Sequence, residues 1–181
     1  MYDNTITASN KAKLKFRLRS AQKREAFLNG RSPNNRDFNC THCKYPVTAE
    51  RLIASVGNRN HCPYCLWSRH LDLYQAGDRL SACKEPMKAV ALALKRTYKK
   101  YGTDHGELMI VHLCVDCGKV SANRIAGDDD QDKIWQIFEH SMNMDSYSRL
   151  RIESAGIHTL EEFDRPIVHT QLYGINLSCV A

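Results

Sequence analysis

The chain has 181 residues, of which 43% are hydrophobic, and it carries 26 Lys and Arg against 20 Asp and Glu. This length suits one domain with extensions and is too short for two ordinary domains. The longest apolar run, Ala89 to Leu94, is too short to cross a bilayer, and the N-terminal charges surround no apolar segment of the kind a signal peptide needs. We therefore expect a cytoplasmic protein that does not enter the membrane.

The formal net charge of +6 is distributed unevenly. Residues 1–37 hold nine basic and three acidic residues, and residues 38–126 hold thirteen and seven. Residues 127–181 hold four basic and ten acidic residues. These boundaries predict a basic N-terminal arm, a core domain that contains seven of the eight cysteines, and an acidic C-terminal extension.

The N-terminal arm is predicted to form a basic helix over residues 9–29. Ser9 suits its N-cap, and Gly30 suits the position after its last turn. A helix with cations over more than half its circumference is poorly suited to burial. We expect seven of these cations to contact nucleic acid: Lys11, Lys13, Lys15, Arg17, Arg19, Lys23 and Arg24.

Two CxxC motifs open the core domain: Cys40-Thr-His-Cys43 and Cys62-Pro-Tyr-Cys65. Their separation is typical of a zinc site in which each motif gives two thiolates to one tetrahedral ion. Disulfides form the first alternative, but the chain shows no secretion signal. A redox motif is the second, because Cys-Pro-Tyr-Cys also occurs in glutaredoxins; the β-α-β context that such a motif requires is missing here. We therefore predict structural zinc.

The next elements are predicted to be strands. Alternating residues favour a strand over 66–74, directly after the second motif. Residues 87–101 fit either a helix or a strand that pairs with residues 107–113, and the ribbon context favours this hairpin. Its tip would carry further nucleic-acid contacts, interleaved with Tyr98 and Tyr101 in a pattern that suits phosphate binding and base stacking: Lys95, Arg96, Lys99 and Lys100.

A second metal cluster is predicted from Cys114-Val-Asp-Cys117 together with Cys83. We expect His112 to be the fourth ligand, because residues two apart on a strand point to the same face. His70 and His105 are the other candidates. An open site with three thiolates and water, or a merely buried Cys83 thiol, remain alternatives.

The acidic extension is predicted to be helical. The run Gly127-Asp-Asp-Asp-Gln-Asp132 suits a helix entrance, because carboxylates favour the positive end of the helix dipole. A magnesium site at Asp128–Asp130 is the alternative. A helix over 132–143 would bury Ile134, Ile137 and Phe138. Two short helical pieces should follow within 146–164, on either side of Gly156, with Thr159 capping the second.

Several spaced motifs together resemble the RNHCP-domain family over residues 38–130. They are Arg59-Asn60-His61-Cys62-Pro63, then Cys62 to Asp72, Gly77-Asp78-Arg79, Cys83, Met87, His112 to Gly118, and Asn123 to Asp129. The resemblance implies a zinc-ribbon-like protein and implies little about activity. It does not extend to the arm or to the extension.

We therefore predict an α+β protein: a zinc-ribbon-type β core with two Cys-rich metal clusters, flanked by helices. Its predicted function is to bind RNA or a ribonucleoprotein, by analogy with ribbons of ribosomal and transcription machinery, with zinc in a structural role. One alternative is a metal-dependent hydrolase of nucleic acid, built on convergence of His70, Asp72 and His112. The other is a protein-interaction module that uses the acidic extension.

Overall fold

The computed structural model describes residues 35–96 and 106–174. Several predicted features lie outside these residues: the helix over 9–29, Lys99, Lys100, His105 and the turn of the hairpin. The described elements, in chain order, are β1 (Phe38–Asn39), β2 (Pro46–Val47), α1 (Arg51–Ala54), β3 (Ser68–Arg69), β4 (Pro86–Lys95), β5 (Glu107–Cys114), β6 (Val120–Arg124), α2 (Gln131–Ser141), α3 (Ser146–Ser154), a 3-10 turn (Glu162–Asp164) and α4 (Arg165–Tyr173).

An antiparallel sheet with the strand order β3-β4-β5-β6 forms the centre of the fold. β4 and β5 pair from Lys95 with Glu107 down to Met87 with Cys114, with a bulge between Ala89 and Ala91. The strand interpretation of this region is therefore confirmed as far as Lys95. β1 and β2 form a separate two-stranded sheet.

The predicted strand over 66–74 is confirmed only at Ser68–Arg69, in β3. Leu66 has a φ of 58°, a left-handed conformation that no strand contains. Beyond β3, the chain turns into a loop in which the carboxylate of Asp78 accepts the N–H groups of Leu73 and Tyr74 at 2.9 and 2.8 Å. The alternation of residues in the sequence could not reveal the left-handed residue before β3 or the loop after it.

Both faces of the β4–β5 hairpin are covered by helices. On one face, Leu92 and Ile110 pack with buried side chains of α2 and α4. On the other face, Ala91 and Val111 pack with Ile152 of α3. Burial on both faces explains why the apolar run in β4 is continuous rather than alternating.

The C-terminal helices follow the sequence prediction in part. α2 confirms the helix predicted over 132–143, with Ile134 and Phe138 fully buried. α3 corresponds to the first predicted short piece. Thr159 is not a cap, since it forms a bridge with Ala93 of β4. α4 is absent from the prediction, although Pro166 in its first turn and Gly174 at its C-terminus are ordinary helix signals.

Within residues 35–96 and 106–174, every helix is too short or too polar to cross a membrane.

Candidate metal centres

Three turns of the same geometry carry six of the cysteines. In each, the N–H of the first cysteine donates to a carbonyl five residues later: Cys40 to Tyr45, Cys62 to Trp67 and Cys114 to Lys119, all at 2.9 Å. The residue after the second cysteine has a positive φ, and it is Lys44, Leu66 or Gly118. We call these turns knuckles one, two and three. The shared backbone geometry places the two thiols of each knuckle on the same side of its turn.

Knuckles one and two form the first cluster, which consists of Cys40, Cys43, Cys62 and Cys65. Its sulfur atoms all lie within 4.8 Å of one another, with Cys40 Sγ to Cys65 Sγ and Cys43 Sγ to Cys62 Sγ both at 3.6 Å. A disulfide would require about 2.05 Å, so these cysteines are free. Tetrahedral zinc with Zn–S bonds of about 2.3 Å separates its sulfur ligands by about 3.8 Å. The first cluster could therefore hold one metal ion of this type.

The protonation chemistry of the first cluster also fits a cation. Burial opposes ionisation of Cys43, but the N–H of Tyr45 and the adjacent thiols lower its pKa to about 7. Burial raises the pKa of Cys62 to about 11, and burial likewise raises the pKa of Cys65. Four crowded thiols cannot all ionise alone, because each thiolate repels the next. A divalent ion would remove this penalty and hold all four as thiolates.

Knuckle three contributes to the second cluster, which consists of His70, Cys83, Cys114 and Cys117. Their ligand atoms also lie within 4.8 Å of one another. Cys83 Sγ is 3.7 Å from Cys114 Sγ, and Cys117 Sγ is 3.3 Å from His70 Nδ1. Burial, helped by Lys119 and Lys84, lowers the pKa of His70 and so keeps its ring neutral, the form that binds metals.

Strand pairing brings the second cluster together. Met87 of β4 pairs with Ser68 of β3 and with Cys114 of β5. His70 follows β3 directly, and its N–H donates to Glu85 O at 2.9 Å. Cys83 precedes β4. The ends of three strands therefore place donors from distant parts of the chain around one point.

The structure does not place His112, the expected fourth ligand, in the second cluster. Its ring is fully buried, with Nε2 2.8 Å from Leu66 O and Nδ1 3.0 Å from the side-chain amide of Asn123. Both ring nitrogens of His112 are thus engaged by neighbours in the core, and the donor atoms that lie within 4.8 Å of one another include His70 instead. His70, an alternative in the sequence analysis, occupies the position. With His70 in place, four protein donors surround this point too, which disfavours the open three-thiolate alternative.

A buried ionic clasp locks the first cluster to the entrance of α2. The side chain of Arg59 is 0% exposed, and its Nη1 lies 2.7 Å from Asp128 Oδ1. Asp129 is 3.3 Å from the same guanidinium and 2.7 Å from His61 Nε2. His61 directly precedes Cys62, so the clasp positions knuckle two. We call Arg59, His61, Asp128 and Asp129 the clasp.

The clasp shows what the acidic run before α2 does. Asp130 is the N-cap of α2 and accepts the N–H of Lys133 at 3.0 Å, as the capping interpretation predicts. Asp128 and Asp129 bind Arg59 instead, which leaves no free group of three carboxylates for magnesium. The spacing of 69 residues between Arg59 and Asp128 gave no sequence signal for this contact.

Other polar residues of the motifs also have structural partners. Asn60 Nδ2 donates to Asp72 at 3.0 Å, and Arg79 lies 3.7 Å from the same carboxylate. Arg124 pairs with Glu107 at 3.2 Å on an exposed edge. Asp72 therefore lies with Asn60 and Arg79, and the predicted convergence of His70, Asp72 and His112 at one metal does not occur.

Two of the predicted nucleic-acid contacts are described: Lys95 and Arg96, both exposed at the end of β4. The second cluster lies at the opposite end of this strand, where Met87 pairs with Cys114. The arm cations, Lys99 and Lys100 fall outside the described residues, so their proposed contacts stay predictions.

Comparison with known proteins identifies the family. The family model of the RNHCP domain matches residues 35–135, more than half of the chain. No curated protein and no solved structure gives a match. The match includes both clusters, the clasp and the first residues of α2. The chain therefore belongs to the RNHCP domain family.

Proposed function

We propose that this protein binds two structural zinc ions and uses the resulting fold to bind RNA or a ribonucleoprotein. The donor sets support zinc: four thiolates in one cluster, and three thiolates with one imidazole in the other, are typical of structural zinc sites. Soft thiolate donors at tetrahedral spacing suit zinc better than magnesium or calcium.

The same donor sets disfavour the hydrolase alternative. A catalytic zinc keeps one coordination position for water or substrate. Four protein donors at each cluster leave no such position. Zinc would therefore hold the knuckles in place, and the function must lie on the surface they present.

The observation that carries the RNA proposal is a group of aromatic rings on knuckles one and two. Tyr45 and Tyr64 are 62% and 52% exposed, with ring centroids 5.4 Å apart. His42 stacks on Trp67 nearby, at 4.2 Å. Unpaired bases stack on exposed aromatic rings at about 1–3 kcal/mol each. We call Tyr45 and Tyr64 the tyrosine pair.

Exposed cations lie on knuckle one and on the segments that flank the knuckles. Lys44 lies beside Tyr45 in knuckle one, and Arg36 and Arg69 are exposed on the neighbouring segments. Lys95 and Arg96 extend the positive charge at the far end of β4. Phosphate contacts from such residues make binding strongly dependent on salt. Rings and cations together favour single-stranded RNA over a protein partner.

The test is fluorescence anisotropy of zinc-loaded full-length protein with a labelled single-stranded RNA at several salt concentrations. Replacing both tyrosines (Tyr45→Ala with Tyr64→Ala) should weaken binding by about tenfold or more, the cost of losing two stacked bases. Tyr147→Ala is the matched control, because Tyr147 is 63% exposed but lies on α3. Equal affinity of the double variant and the control would contradict the proposal.

A pull-down from native lysate separates RNA from protein partners. If the protein binds RNA or a ribonucleoprotein through RNA, the captured partners should be released by RNase and by high salt. Partners that all survive RNase would favour the protein-interaction alternative.

A further inference from the structure

A cavity of about 370 Å³ lies beside the first cluster, between β1 and the chain after knuckle two. Cys40 of the first cluster, Phe38 of β1 and Trp67 contribute to its walls. Ligand pockets in proteins start at roughly 300 Å³, so this volume suits a ligand of about one nucleotide. We call it the knuckle cavity.

The indole of Trp67 gives the knuckle cavity a flat aromatic wall. The ring of His42 stacks on one face of the indole, with an interplanar angle of 5°. This contact fixes the orientation of the indole, and Trp67 lines the cavity. A planar base would find a pre-oriented surface there, which lowers the entropy cost of stacking.

The arginines that line the knuckle cavity differ in how many of their hydrogen-bond donors already have partners. Arg59 is fully engaged in the clasp, and Arg79 contacts both Asn60 and Asp72. Toward the described part of the chain, Arg69 donates only its Nε, to Lys84 O at 2.7 Å. Arg36 has no ion pair or hydrogen bond to any other described residue. Two exposed guanidinium groups at the cavity therefore have donors left for phosphate, which they bind in bidentate geometry.

Polar side chains on the wall could bind the edge of a base. Asn39 and Thr41 line the knuckle cavity and make no side-chain hydrogen bond to another described residue. The carboxylate of Asp37 also lines it and already accepts the N–H of Ala49 at 2.8 Å. An amide, a hydroxyl and a carboxylate provide both donors and acceptors, as base recognition requires.

We propose that the knuckle cavity binds one nucleotide, with its base against Trp67 and its phosphate at Arg36 and Arg69. The choice of an unpaired RNA nucleotide as the source rests on the proposed function, while a free mononucleotide would carry the same chemistry. The tyrosine pair would then stack bases that adjoin the bound nucleotide.

The test uses Trp67 fluorescence, because the chain has only two tryptophans. In a Trp135→Phe background, the zinc-loaded full-length protein is titrated with a six-nucleotide single-stranded RNA, and separately with AMP and UMP. RNA should quench Trp67, and Arg36→Gln and Arg69→Gln should each weaken binding by about fivefold or more. Arg149→Gln, on α3, is the matched charge control and should change affinity less than twofold.

A second pair of variants separates stacking from folding. Trp67→Leu should weaken RNA binding by about fivefold or more, while Trp67→Phe keeps a ring and should retain most of the affinity. Each variant must keep the zinc content of the parent protein. If RNA binds without quenching Trp67, and if these variants bind it as tightly as the parent protein, the cavity proposal is overturned. The proposal that the protein binds RNA would still stand. Quenching by AMP or UMP without RNA binding would support the nucleotide site and overturn RNA as its source. Quenching by none of the three would overturn the proposal.

Discussion

The two clusters sit in very different surroundings. The first cluster is built from knuckles one and two, and apart from its own cysteines its local core contains only Val47 and Phe38. The second cluster lies at the end of a four-stranded sheet whose two faces are covered by helices. The first region would therefore depend on a bound metal as a substitute for a hydrophobic core, whereas in the second region a bound metal would fix the end of a sheet that the core already holds.

Removing one ligand from each cluster should reveal this difference most strongly. Cys62→Ser should release the first metal and unfold residues 35–70, because binding of structural zinc contributes on the order of 10 kcal/mol to folding. His70→Ala should release the second metal and loosen only the strand ends around it. Metal analysis together with hydrogen exchange, read by mass spectrometry, measures both effects. Equal and global unfolding in the two variants would contradict the comparison.

Two further substitutions control for the identity of the fourth ligand. His70→Cys restores a four-thiolate set and should retain two metal ions per chain. His112→Gln should also retain two, because His112 bonds to Leu66 O and to Asn123 rather than to a metal. Loss of a metal ion from His112→Gln, but not from His70→Ala, would reverse the assignment.

The two regions are also attached to the acidic extension in different ways. In the first, Arg59→Met would leave Asp129 buried without its cation, at a cost of about 3–5 kcal/mol in the free energy of unfolding. In the second, Arg151 is exposed and donates to Gly118 O at 2.8 Å, so Arg151→Met should cost about 1 kcal/mol. Urea denaturation of the zinc-loaded proteins compares the two losses. A similar loss in both variants would show that burial of the clasp does not set its strength.

An effect smaller than that of the clasp concerns His112, which lies where the two regions meet, with its ring 5.9 Å from that of His61. Burial lowers the pKa of His112 to about 3, against about 6.5 in the unfolded chain. Between these values the unfolded state binds the extra proton, so stability is present above pH 6.5 and is lost as the pH falls. From pH 7.5 to 5.5 this loss is about 1.4 kcal/mol.

The measurement is urea denaturation at the two pH values. His112→Gln should lose less stability than the parent protein over this interval, whereas His158→Gln, at an exposed site, should follow the parent. The same pH dependence in His112→Gln and in the parent would show that the buried ring does not contribute.

The sequence by itself determined the local units. CxxC spacing identified knuckles one and two, because each thiol pair is set by a few residues of backbone. Apolar spacing behind an acidic run identified α2, and the composition of that run identified the helix entrance. Each of these depends on residues within about ten positions of one another. The β4–β5 hairpin was favoured only through the ribbon context, because its paired residues lie up to 27 positions apart.

The tertiary structure decided what depends on distant contacts. His70 rather than His112 joins the second cluster because β3 pairs with β4, and no local pattern encodes that pairing. Arg59 meets Asp128 and Asp129 across about seventy residues, so the carboxylates were mistaken for cap or magnesium ligands alone. The knuckle cavity likewise arises where β1 meets the chain after knuckle two. Spacing specifies which donors a knuckle offers, while the packing of the sheet specifies which other groups they meet.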